Sequence, residues 1–151
     1  MNLRRFSLVY LATMLGLMMI VVLVQAVGNF NVANAGMAII PAMVAGLVEG
    51  QRFAGVEKRL PESSQIWRFA CRAAVIILGL TMISVSIFSV AAPQIKLMLS
   101  HTQGALLLLA AILFQTAVSF LLVRYFVALG AKSALRAQAD LAAKTRKGGR
   151  G

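Results

Sequence analysis

The chain has 151 residues, 60% of them hydrophobic and 13% charged, with a net charge of +11 and a mean hydropathy of +0.87. A soluble domain carries about 25% charged residues, so this composition excludes a water-facing globule and leaves a membrane chain with room for roughly three to five spans. One cysteine, Cys71, excludes an internal disulfide and a two-thiol relay, and its place in an apolar run predicts a buried packing atom.

Met1 to Arg5 is a short basic head, followed by an uncharged apolar run from Phe6 to Val27, enough for about 33 Å of helix. Two readings apply to it: a first span at about 6–27, or a secretory signal peptide ending at the small-x-small sequence Ala33-Asn34-Ala35. The run is longer than the ~7–15 apolar residues usual in a signal peptide, which favours the span. Gly28 to Asn31 is a polar tetrapeptide suited to a tight connection, and a second span is predicted at about 32–50. In it Ala38, Ala42, Gly46, Gly50 and Ala54 recur every four residues, a small-residue row that exposes backbone for close helix packing in lipid. Pro41 falls inside this span and is expected to bend it.

Glu49 to Arg72 reads as the one substantial loop, with Arg52, Lys58, Arg59, Arg68 and Arg72 against Glu49, Glu57 and Glu62. Arg59-Leu60-Pro61 ends one helix, and Pro61-Glu62-Ser63-Ser64 opens the next ahead of the membrane, with Trp67 and Phe69 at headgroup level. A third span at about 70–92 closes at Pro93, an outer loop runs from Gln94 to Gln103 with Lys96 and His101, and a fourth span lies at about 104–127. Arg124 is expected to snorkel at its inner end. An alanine-rich basic helix then carries Lys132, Arg136, Asp140 and Lys144 at four-residue spacing, before a glycine-rich tail ending at Gly151.

Cations decide the sidedness. Arg4 and Arg5 in the head, the five in the middle loop and the seven from Arg124 onward leave Lys96 alone on the other side. The prediction is an all-α integral membrane protein, a four-helix bundle with both termini cytoplasmic, divided into a four-span domain at 1–130 and a basic cytoplasmic tail at 131–151. The basic face implies attraction to anionic lipid headgroups, whereas nucleic acid is not an expected partner because no aromatic residues interleave the charges.

The residues for chemistry are sparse. His101 is the sole histidine, no acid is placed on its side of the membrane, and no glycine-rich phosphate loop occurs, so neither an enzyme nor a metal or other cofactor is expected. Met14, Met18, Met19, Met37 and Met43 read as core filler and not as copper ligands. Glu49 comes nearest to a buried charge; three residues before Arg52, it is expected to pair with it at the interface, the rival role being a proton carrier. Gln25, Asn29, Asn31 and Asn34 are expected to cap helix ends, and Gln115, Thr116 and Ser119 to bond between helices.

Asn34-Ala35-Gly36, the small residues through Ala45 and Gly46, Gly50-Gln51-Arg52-Phe53, Arg59-Leu60-Pro61 and Trp67-Arg68 together resemble the ABZJ-type family of four-span bacterial inner-membrane proteins. The resemblance covers about residues 31–74 and implies topology and location in the bacterial inner membrane, but no activity. Where the family pattern has a threonine after the proline and an acid two residues before the tryptophan, this chain has Glu62 and Gln65, which weakens the capping box at that helix start. The expected role is non-catalytic: a structural or interaction protein that associates with itself or with a larger membrane complex. Ala38, Ala42, Gly46 and Gly50 would form its helix-contact stripe, and Glu49, Arg52, Phe53, Lys58, Arg59, Pro61 and Trp67 its cytoplasmic recognition loop. The alternatives are a small oligomeric channel or carrier and a toxin-immunity protein.

Overall fold

The computed structural model of the chain describes residues 1–28, 39–91 and 93–148. The described residues form five helices and no strand: α1 (Leu3–Gly28), α2 (Ile40–Glu57), α3 (Ser63–Ala91), α4 (Pro93–Ser100) and α5 (Thr102–Gly148). Three of these hold segments long and apolar enough to cross a membrane, Leu3–Val24 in α1, Ser63–Ile87 in α3 and Thr102–Thr145 in α5. The described part of α2 is not among them, because its apolar stretch runs only from Ile40 to Val48 before Glu49 and Arg52 enter.

Local chemistry accounts for the helix ends. Asn2 caps α1: its Oδ1 accepts the Arg4 N–H at 3.0 Å and its carbonyl accepts the Phe6 N–H at 3.1 Å. Pro41 sits in the first turn of α2 and opens the described helix, where a missing N–H costs nothing, and the residues before Ile39 across which a bend was expected lie outside the described residues. Lys58 ends α2 in the left-handed region with φ 53°, its N–H bonded to the Ala54 carbonyl at 3.0 Å. At the start of α3, Gln65 Oε1 accepts the Glu62 N–H at 3.3 Å. Half a capping box therefore forms, because glutamine at that position reaches back as glutamate does.

Two expected loops are largely helical. Polar residues from Glu49 onward do not end α2, which continues to Glu57, and α3 begins at Ser63; only the residues between them connect. The segment expected as an outer loop from Gln94 is the helix α4, followed by His101 and the start of α5. Gly104 allows that corner, since a Cβ there would run into the Met98 carbonyl. Arg124 and the basic residues from Lys132 to Lys147 lie on the same continuous helix as the apolar part of α5, a rod of 47 residues and about 70 Å.

The helices pack through α2 and α5. A Cβ at Gly50 would strike the Val127 carbonyl, one at Gly46 would lie 3.3 Å from Val123 Cα, and one at Gly130 would strike the Leu47 carbonyl. The two backbones therefore touch along two turns. Val123, Val127 and Ala131 of α5 are fully buried, together with Ala42 and Ala54 of α2. Around this seam lie Phe6 and Tyr10 of α1 and Phe69, Ala70, Ala73 and Ile77 of α3, with the Phe6 and Phe69 rings edge to face at 5.5 Å. Cys71, on the other flank of α3, is exposed; the buried arc runs through positions 66, 69, 70, 73 and 77, which corrects the packing role expected for it.

The core is confined to one end. Beyond Tyr10 and Ile77, and before Ile112, the helices carry exposed apolar side chains such as Leu15, Leu23, Ile83, Ile87, Leu106 and Leu107. Most helix hydroxyls bond within their own helix, Thr13 to Val9 and Ser84 to Leu80 at 2.8 Å among them, which satisfies them in a solvent without water. Thr116 does the same with the Ile112 carbonyl at 2.8 Å, so its hydroxyl bonds within α5 and not between helices; Ser119 is buried with its Oγ unpartnered among the described residues.

Replacing Gly50 by alanine should lower stability in detergent by about 1–3 kcal/mol, because the new methyl meets backbone that cannot rotate away. Gly55→Ala, with nothing within 4 Å of its Cβ position, should be neutral or stabilising by up to about 1 kcal/mol. Thermal unfolding of the two variants side by side checks the contrast.

Candidate functional site

Where α1, α2 and α3 meet, one end of the molecule gathers charge. Asn2, at the start of α1, donates its backbone N–H to Oε1 of Glu49 on α2. Glu49 is 3% exposed, and its carboxylate stands at a helix N-terminus, where the positive end of the peptide dipoles favours an anion. Its second oxygen, Oε2, is buried without a hydrogen-bond partner among the described residues. The expected ion pair with Arg52 does not form: Arg52 is exposed, and Glu49 turns instead to the α1 backbone. Position 49 lies on the flank of α2 that meets α1, next to Gly50 on the seam with α5.

Above this carboxylate lies a cleft of about 540 Å³. Arg5 of α1, Arg52 of α2, and Arg68 and Arg72 of α3 line it, together with Leu3, Phe53, Val56, Phe69 and the acids Glu49 and Glu57. Among the described residues the ion pairs belong to Arg59, which reaches Glu57 at 3.4 Å and Glu62 at 3.6 Å; all three side chains are about half exposed or more, so these pairs contribute little. The four cleft arginines thus have no ion-pair partner within the described residues. Phe53 also meets the Arg59 guanidinium, 5.8 Å above its ring.

A second contact set joins α3 to α5. The Arg124 guanidinium lies 4.5 Å over the Trp67 ring, and Trp67 packs on Phe120 at 5.3 Å. Arg124 therefore covers an aromatic face close to the charged end.

The residues expected to act together thus separate into four groups. Ala42 is buried, and Gly46 and Gly50 meet α5, while Ala38 lies outside the described residues, as do Asn29, Asn31, Asn34 and the first part of the predicted second span. Glu49, Arg52 and Phe53 are helical residues at the cleft, not loop residues. Lys58, Arg59 and the buried Pro61 form the short connection, and Trp67 belongs to the α3–α5 contact. Asn2, Arg5, Arg68 and Arg72 complete the cleft and Gly130 completes the seam, none of which had been singled out for these places. A glycine in the middle of an alanine-rich helix was the available signal for Gly130. His101 is exposed, and no group of three or more metal-binding side chains occurs among the described residues.

No known protein family, curated protein or solved structure matches this chain.

The Glu49 bond has a measurable value. Glu49→Ala should lower stability by about 1–3 kcal/mol by leaving the Asn2 N–H without its acceptor, while Glu49→Gln, which keeps an oxygen there, should lose less than half as much. Unfolding in detergent, with Asn2→Ala as a cap-only control costing about 1 kcal/mol, separates the two contributions.

Proposed function

We propose that this chain is a small, non-catalytic inner-membrane protein that crosses the bilayer four times with both termini in the cytoplasm, and that it works by association through its basic cytoplasmic end. The observation that carries this reading is the bond between Asn2 and Glu49. From Asn2 the 26-residue α1 runs about 39 Å away, yet by Glu49 the chain is again beside its own start. A second crossing between those residues accounts for that return, and α3 sets out again from the same end, with Phe69 against Phe6.

Charge supports the same layout. Arg5, Arg52, Arg68 and Arg72 share one cleft, and Arg124 joins this end through Trp67, so cations remote in sequence lie together. Such clustering orients a chain with its basic face in the cytoplasm and draws that face toward anionic lipid. Membership in the ABZJ-type family belongs to the same proposal and supplies no activity to it. Association with a second copy or a larger membrane complex would use the exposed apolar flanks of α1 and α5.

Single cysteines in a Cys71→Ser background test the layout with a membrane-impermeant thiol reagent on intact cells. Cysteine at Lys96 should label from outside, and cysteines at Val56 and Gln138 should label only after the membrane is opened. Labelling of Val56 from outside would overturn the proposed topology.

A further inference from the structure

The geometry points to the Arg5/Arg52/Arg68/Arg72 cleft as a specific site for the headgroup of an anionic phospholipid. This rests on the proposed orientation and goes beyond it, because a diffuse basic face needs no site, whereas four arginines from three helices around one cavity define one.

The ligand chemistry follows from the lining. A guanidinium presents a planar fork that matches the oxygens of a phosphate, and arginine binds it in two-pronged fashion where lysine acts as a point charge. Four such groups without ion-pair partners among the described residues face a cavity with two acids, Glu57, which pairs with Arg59, and Glu49, which accepts from Asn2 through one oxygen, so the guanidinium charges outnumber the carboxylates. The charge left over is positive. The N-terminal end of α1 lies on the same cleft and adds a partial positive charge.

The rest of the lining separates a lipid from a soluble phosphate. Leu3, Phe53, Val56 and Phe69 put apolar surface beside the arginines, suited to the glycerol and first methylenes of an acyl chain. Two of the three contributing helices, α1 and α3, are membrane-capable, and in the proposed orientation the cleft at their starts would face the phosphates of the bilayer. About 540 Å³ falls within the range of sites that hold ligands of headgroup size.

The test uses the full chain, purified in mild non-ionic detergent and stripped of lipid, with native mass spectrometry reading bound lipid. Phosphatidylglycerol and cardiolipin should bind at least about tenfold more tightly than phosphatidylethanolamine, and soluble glycerol phosphate should bind far more weakly than either. Arg52→Gln combined with Arg68→Gln should reduce anionic lipid binding about tenfold, while Lys132→Gln combined with Arg136→Gln, an equal charge loss outside the cleft, should leave it unchanged. Both changes fall on exposed side chains, and an unchanged thermal transition shows that the variants fold. Equal losses from the two pairs, no loss from the cleft pair, or binding of glycerol phosphate as tight as that of lipid would each overturn the site. Because thiol labelling reads orientation without lipid binding, a chain that labels as proposed but keeps its lipid in the cleft variant loses this inference alone.

Discussion

Where α2 crosses α5, three glycines bring two main chains into contact: Gly46 and Gly50 against Val123 and Val127, and Gly130 against Leu47. In hydrocarbon, side chains gain nothing by leaving lipid for a protein interior, so attraction between helices has to come from close atomic contact. Absent side chains on both helices allow that approach, and short contacts between Cα hydrogens and carbonyls add to it. Within its described residues α2 has an apolar stretch only from Ile40 to Val48, and its second half carries Glu49, Arg52 and Glu57. Its docking on α5 places Glu49, one position before Gly50, on the flank that faces α1.

Everything polar then follows from where α2 is held. Glu49 accepts the backbone amide of Asn2, the residue that caps α1, the α1 and α3 starts come side by side through Phe6 and Phe69, and the arginines of three helices surround one cleft. Toward their opposite ends α1, α3 and α5 leave leucine, isoleucine and valine exposed among the described residues. Such a surface would be a liability in water and costs nothing in lipid. Packed polar end and open apolar end are thus two sides of one arrangement.

Periodicity carried much of this in advance. The four-residue row through Ala42, Gly46 and Gly50 was legible because small residues in a membrane helix have few uses other than backbone contact. Its partner was not, since nothing in a single sequence says which helix faces the row, and Gly130 is the last residue of the predicted membrane domain, just past the predicted fourth span. Charge marks where a helix leaves the bilayer and not where it stops, which is why the middle loop shrank to a few residues and α5 ran on as one rod. Glu49 shows the same limit on a smaller scale. A neighbour three residues away was visible in the sequence, but a backbone amide 47 residues earlier was not. The cleft arginines were visible as charges for orientation, and only the helix crossings made them a site.

The contact between α2 and α5 can be measured directly. A Cβ at Gly46 would lie 3.6 Å from the Cβ of Phe126, within the range that a disulfide requires. In a Cys71→Ser chain carrying Gly46→Cys and Phe126→Cys, mild oxidation in intact membranes should close an intramolecular disulfide in most molecules, seen as a monomer with faster migration that reverts on reduction. Cross-links that appear only between chains, or none under conditions where a surface pair oxidises, would contradict the account.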